Sequence, residues 1–232
     1  MELTAVGCYQ RLRPPRLVIH VAAPPVGSDD VQVMHPISEI LQPILGHPSW
    51  LVQCGYGSFI TMEFGAPEVT VGQPIRMPVA IEGAPAKTPR RLANVTGEWH
   101  LWIYCCHWSL RLDDVQVAHN ESNPVTMNRA LGVLNGQILQ SVDIEPVDGR
   151  TRFTFDLGCS LVTYPAPSGS YSDEPVEQWK LHPRTGSYLT IRADGAYWLG
   201  DRHQKPDDMH WEPMTEPVAV TCTARKYGNG TP

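Results

Sequence analysis

Charge is scarce in this chain of 232 residues: 18 basic and 24 acidic side chains make up 18% of it and leave a net charge of −6. Lysine is rarest, four residues against fourteen arginines, and no basic run supplies the positive face that nucleic acid requires. Apolar residues reach 42%, yet no stretch approaches the ~20 consecutive apolar residues of a membrane span. These absences exclude a charged disordered chain, a nucleic-acid binder and a helical membrane protein. What remains is enough apolar material for one large domain or two small ones. The start, MELTAVGCYQRLRPP, lacks the basic-then-apolar pattern of a secretory signal, so a cytoplasmic location is expected. The preference for arginine reads as GC-rich coding and points to a bacterial source.

Chemical signatures are missing as well. Cys8, Cys54, Cys105, Cys106, Cys159 and Cys222 form no CxxC pair and suit scattered thiols in a reducing compartment. There is no GxSxG elbow and no GxxxxGK[ST] loop, and Gly55-Tyr56-Gly57-Ser58 is a lone GxG that reads as a hairpin turn. No cofactor is implied. The sequons at Asn94, Asn120 and Asn229 match chance occurrence outside a secreted chain.

What the chain does contain is a resemblance to itself. SFITMEFG (58–65) lies over TRFTFDLG (151–158), and ISEILQPILG (37–46) over MNRALGVLNG (127–136). Further along, EWHL (98–101) lies over QWKL (178–181) and SLRLDD (109–114) over TIRADG (190–195). The first match keeps side-chain orientation. Ile60, Met62 and Phe64 form an inner row against Phe153, Phe155 and Leu157, while Phe59, Thr61 and Glu63 face out. The expected fold is therefore mainly β, as two tandem, similar antiparallel β modules produced by duplication, each preceded by a short helix.

In this reading residues 1–36 form an N-terminal strand and loop, 37–118 the first copy and 119–126 a linker. Residues 127–200 form the second copy and 201–232 a C-terminal loop and strand. Ser38 or Asn128 opens each helix, Pro43 shortens the first, and Gly46 or Gly136 ends it at positive φ. In the second copy strands are expected over 137–145, 150–157, 159–164, 176–182, 187–193 and 196–199, with Asp194-Gly195 as a two-residue hairpin turn. Residues 16–23 and 218–224 add outer strands, and 66–98 and 165–175 read as irregular Pro-rich connections.

Two candidate sites follow. The apolar run WHLWIYCCHW (99–108) reads as one strand, with His100, Trp102, Tyr104, Cys106 and Trp108 on one face. The second copy offers only Lys180 and His182 there, which suit solvent. His100, Trp102, Tyr104 and Trp108 are thus candidate partner-binding residues if exposed, and seam-filling bulk if buried. Cys105 and Cys106 point to opposite faces and make a poor metal pair. The second candidate is the His/Asp-rich segment GDRHQKPDDMHW, where His203, Asp207, Asp208 and His210 could hold a divalent ion for metal-assisted hydrolysis. It matches no established metal motif.

The expected function is binding to another protein rather than catalysis: an immunity protein that neutralises a toxin, or an accessory subunit of a defence or secretion locus. A net acidic chain suits a basic partner. A small-ligand binder with a cavity beside the 66–98 loop is a third class.

Overall fold

Alternating apolar and polar residues at a period of two dominate the chain, and its turns are punctuated by glycines at positive φ, so strands are the natural outcome. The computed structural model describes residues 34–76, 89–167, 174–201, 203–204 and 208–222. The expected strand over 16–23 lies outside the described residues. In chain order the elements are α1 (Pro36–Leu41), β1 (Trp50–Cys54), β2 (Ile60–Phe64), β3 (Glu68–Val71), β4 (Ile75–Arg76), β5 (Pro89–Arg90) and β6 (Ala93–Thr96). Then come β7 (Trp99–Ile103), β8 (Cys106–Leu112), β9 (Val115–His119), α2 (Pro124–Gly132), β10 (Leu139–Ile144), β11 (Thr151–Phe155) and β12 (Cys159–Pro165). The last are β13 (Glu177–Pro183), β14 (Tyr188–Arg192), β15 (Ala196–Gly200), β16 (Glu212–Pro213) and β17 (Val218–Thr221). No described helix is long and apolar enough to cross a membrane.

The strands form a seven-stranded antiparallel sheet, β1-β2-β7-β13-β14-β15-β16, and a six-stranded one, β17-β10-β11-β12-β8-β9. Their inner faces meet in one core: the Trp179 ring of the first sheet stands edge-on to Phe153 of the second at 5.5 Å, and its indole N–H donates to the Thr151 hydroxyl at 2.8 Å. Ile60, Met62, Phe64, Leu101, Leu110, Phe153, Leu161, Leu181 and Leu189 line this core essentially without solvent contact. The inner row expected from the sequence is present, save Leu157. That residue lies past the end of β11 in the turn before Gly158 and is 66% exposed.

Each sheet takes strands from both 37–118 and 127–200. The chain leaves the first sheet after β7 to enter the second at β8, and leaves the second after β12 to return at β13. SFITMEFG and TRFTFDLG provide β2 and β11, which lie between β1 and β7 in one sheet and between β10 and β12 in the other. EWHL and QWKL instead lie on β7 and β13, which pair directly, with Leu101 opposite Leu181. SLRLDD and TIRADG run from β8 and β14 into their turns, at different places in the strand order.

Local chemistry sets the element ends. His35, not Ser38, caps α1, its Nδ1 accepting from the Ile37 N–H at 3.2 Å, and Asn123, not Asn128, caps α2 through the Thr126 N–H at 2.9 Å. Pro43 sits in the 3-10 turn that follows α1, and Gly46 and Gly136 take φ of 81° and 89°. The N–H groups of Gly46 and Gly136 donate to Leu139 and Ser49, joining the stretches before β1 and β10 around a bridge from Pro48 to Ile138.

The two-residue turn expected at Asp194-Gly195 does not form there. Asp113-Asp114 makes a two-residue turn between β8 and β9 with both φ positive, at 47° and 63°. Asp194-Gly195 belongs to a longer loop closed by the Gly195 N–H on the Arg192 carbonyl, with only Gly195 at positive φ. The connection over 66–98 is not irregular throughout: β3 pairs with β6 and β4 with β5, and the β3–β6 ribbon is exposed on both faces.

Candidate functional site

The run at 99–108 is two strands, not one. Cys105 takes φ of 51° between β7 and β8, a bend that lets the chain switch sheets. The alternation expected across the run fails at this corner. His100, Trp102 and Tyr104 stay together on the outer face of the seven-stranded sheet, each partly exposed. Trp108 turns into the core at 1% exposure and donates its indole N–H to the Ser58 carbonyl at 2.7 Å. Trp108 is therefore a core residue and no part of that outer surface. Cys106 is buried too, its thiol at 3.4 Å from the Gln178 carbonyl.

β7 runs between β2 and β13, and register fixes what flanks each outer residue. His100 lies between Glu63 and His182, and Trp102 between Thr61 and Lys180. Lys180 and His182, which by sequence suited solvent, are thus neighbours of the aromatic row. The Trp102 and Tyr104 rings stack at 4.3 Å, with Phe59 edge-on to them at 6.3 and 6.1 Å. Such pairs add ~0.5–1.5 kcal/mol beyond the area they bury. The Lys180 ammonium lies 5.6 Å from the Tyr104 ring centre and pairs with Glu177 at 2.6 Å. The Tyr104 hydroxyl donates to Glu177, and burial followed by this carboxylate pushes its pKa well above the usual phenol range.

Toward the base of the β3–β6 ribbon the face changes character. Glu63, 4% exposed, accepts from the Gly97 N–H at 2.8 Å and holds the His100 ring at 2.6 Å. A side chain at Gly97 would collide with the Phe64 carbonyl, so glycine permits this close turn. His182 stacks on Tyr188 at 4.2 Å, with the His100 ring 5.7 Å away. Burial, then His100 and Lys180, lower the His182 pKa to about 4, so its ring is neutral at pH 7. Its Nε2 is buried and has no hydrogen-bond partner among the described residues.

The face thus couples an aromatic cluster to a band of carboxylates and imidazoles. It has the composition of a binding surface, in which large rings are anchors and charged groups set register. Phe59, Glu63, Glu177, Lys180, His182 and Tyr188 were not among the expected site residues. Only the pairing of β2, β13 and β14 around β7 brings them there, and the sequence carried no signal for that pairing.

Of the second candidate site, His203 donates its backbone N–H to the Asp201 carboxylate at 2.7 Å, and Asp207 lies outside the described residues. Among the described residues no three His, Cys, Asp or Glu side chains converge as a metal site would require, His203, Asp208 and His210 included. An open polar cleft of about 440 Å³ holds His107, Ser109, His119 and Tyr164, but the Ser109 hydroxyl meets that of Tyr164 at 3.3 Å rather than an imidazole. Comparison with protein-family models, with curated proteins and with solved structures gives no match.

Proposed function

We propose that the chain is a non-catalytic binding protein that docks a basic protein partner on the outer face of the seven-stranded sheet. The observation that carries this reading is the cluster of Phe59, Trp102 and Tyr104. These three rings pack on one another on an outer surface and each remains partly open to solvent. Partly covered aromatic clusters ringed by charge are the usual anchors of protein interfaces. The net charge of −6 and the carboxylates of Glu63 and Glu177 favour a basic partner. An immunity protein facing a basic toxin, or an accessory subunit of a defence or secretion locus, in a bacterial cytoplasm, is the setting proposed for it.

Duplication is part of the same proposal. The order α1-β1-β2-β7-β8-β9 parallels α2-β10-β11-β12-β13-β14. In each half three strands stay in one sheet and the next two cross to the other. This supports an ancestral unit copied once, with reciprocal exchange of strands between the copies and the β3–β6 ribbon inserted in the first. On this reading the aromatic cluster sits where the copies meet, at the β7–β13 pair.

The test is capture of the partner from the native host, its purification, and measurement of Kd against single variants. Trp102→Ala is expected to weaken binding by at least about 30-fold, the usual threshold of an interface hot spot. Binding within twofold of wild type by both Trp102→Ala and Tyr104→Ala, each folded, removes this face from the function.

A further inference from the structure

A second open feature lies away from the aromatic face, between α2 and the β8–β9 hairpin. The C-terminal end of α2 is tied toward β1: the Ser49 hydroxyl donates to the Leu134 carbonyl at 2.6 Å, and the Asn135 side chain accepts from the Val52 N–H at 2.9 Å. Toward β9 no such tie exists among the described residues, and a groove of about 300 Å³ opens there. Its floor reaches the core at Leu110 and Cys159, while Val117, Val125 and Val133 stand at its mouth, partly or largely exposed. The β8–β9 register slips between Leu110 and Arg111, which leaves Val117 as the unpaired residue of a bulge beside this mouth.

Arg129 is the single charged residue of the lining among the described residues. It is exposed and, among the described residues, makes no ion pair or side-chain hydrogen bond, although it also favours the end of α2 as a basic residue in the last turn. An apolar slot with one unpaired guanidinium at its edge is complementary to an apolar tail that ends in an anion. Its size decides against a protein occupant. At about twice the 150 Å³ of an engineered cavity that holds benzene, it takes a ligand of roughly a dozen non-hydrogen atoms.

We propose that this groove binds a small amphiphile with an anionic head, of the class of medium-chain carboxylates, the tail against Leu110 and Cys159 and the head on Arg129. The site is independent of the aromatic face, so either can fail alone.

Calorimetric titration of the full chain with hexanoate, octanoate, decanoate and octanol tests it. The expected result is one carboxylate per chain, with affinity rising about fourfold per methylene that the groove still buries and then levelling off. Arg129→Gln should weaken octanoate about tenfold and leave octanol nearly unchanged, because only the head contact is lost. Val117→Trp, which fills the mouth, should abolish both. Val133→Trp serves the same end if the first variant lowers Tm. Absence of saturable octanoate binding in the millimolar range, equal loss of acid and alcohol in Arg129→Gln, or undiminished binding by a folded Trp variant would each overturn the proposal.

Discussion

The contrast between Trp102 and Trp108 is the sharpest consequence of the bend at Cys105. Both are large aromatic residues of one ten-residue run, yet the structure puts Trp108 in the core at 1% exposure and leaves Trp102 on the surface. Truncating Trp108 to alanine removes a buried indole and orphans the Ser58 carbonyl that it satisfies. Loss of a buried aromatic costs about 3–5 kcal/mol. Trp102→Ala gives up its stacking on Tyr104 and edge contact with Phe59, about 1 kcal/mol. At about 2–4 °C per kcal/mol for a chain of this size, Trp108→Ala should lower Tm by roughly 6–20 °C and Trp102→Ala by only a few degrees. Trp108→Phe, which keeps most of the packing but not the hydrogen bond, should fall between them. Thermal unfolding followed by circular dichroism, with denaturant midpoints as a second measure, reads all three. Equal losses for Trp102→Ala and Trp108→Ala would refute the sheet switch at Cys105 and the surface built upon it.

Two further outcomes are expected. The His182 pKa of about 4 lies below the ordinary 6.5, so between these values the unfolded chain binds more protons. Stability should therefore fall as pH drops from about 6.5 to about 4, by about 1–2 kcal/mol once partial exposure is allowed for. His182→Gln should flatten that slope in pH-dependent denaturation; an unchanged slope would place the titration elsewhere. Asp114 adopts φ of 63° in the β8–β9 turn, a conformation that costs an L-residue about 1 kcal/mol. Asp114→Gly should raise stability by about 0.5–1 kcal/mol in equilibrium unfolding, less whatever flexibility glycine adds to the unfolded chain, and a loss would mean that the turn is not strained.

Within the described residues the strands of the second half stood out by sequence, because each couples a period-two apolar row to a turn residue at either end. Leu139–Ile144, Thr151–Phe155, Cys159–Pro165, Glu177–Pro183, Tyr188–Arg192 and Ala196–Gly200 each lie inside their expected spans or overrun them by a single residue. The site was only partly legible. His100, Trp102 and Tyr104 share the outer face as expected. Trp108 leaves it because one left-handed residue, Cys105, reverses the inward–outward parity, and a cysteine gives no warning of positive φ. The hairpin turns show the same limit. Asp-Gly fits several loop lengths, and which one forms depends on where cross-strand pairing stops.

By itself, then, the amino-acid order determined the β character, the inner rows and the places where the chain must turn, since these depend on local alternation and on residues with special backbone freedom. Which strands become neighbours, and so which side chains surround Trp102 or leave a groove beside α2, was decided only in three dimensions. β7 meets β13, about 80 residues further along the chain, to bury Leu101 and Leu181 against the opposite sheet. That choice minimises exposed apolar surface over the whole fold and leaves no trace in either strand alone.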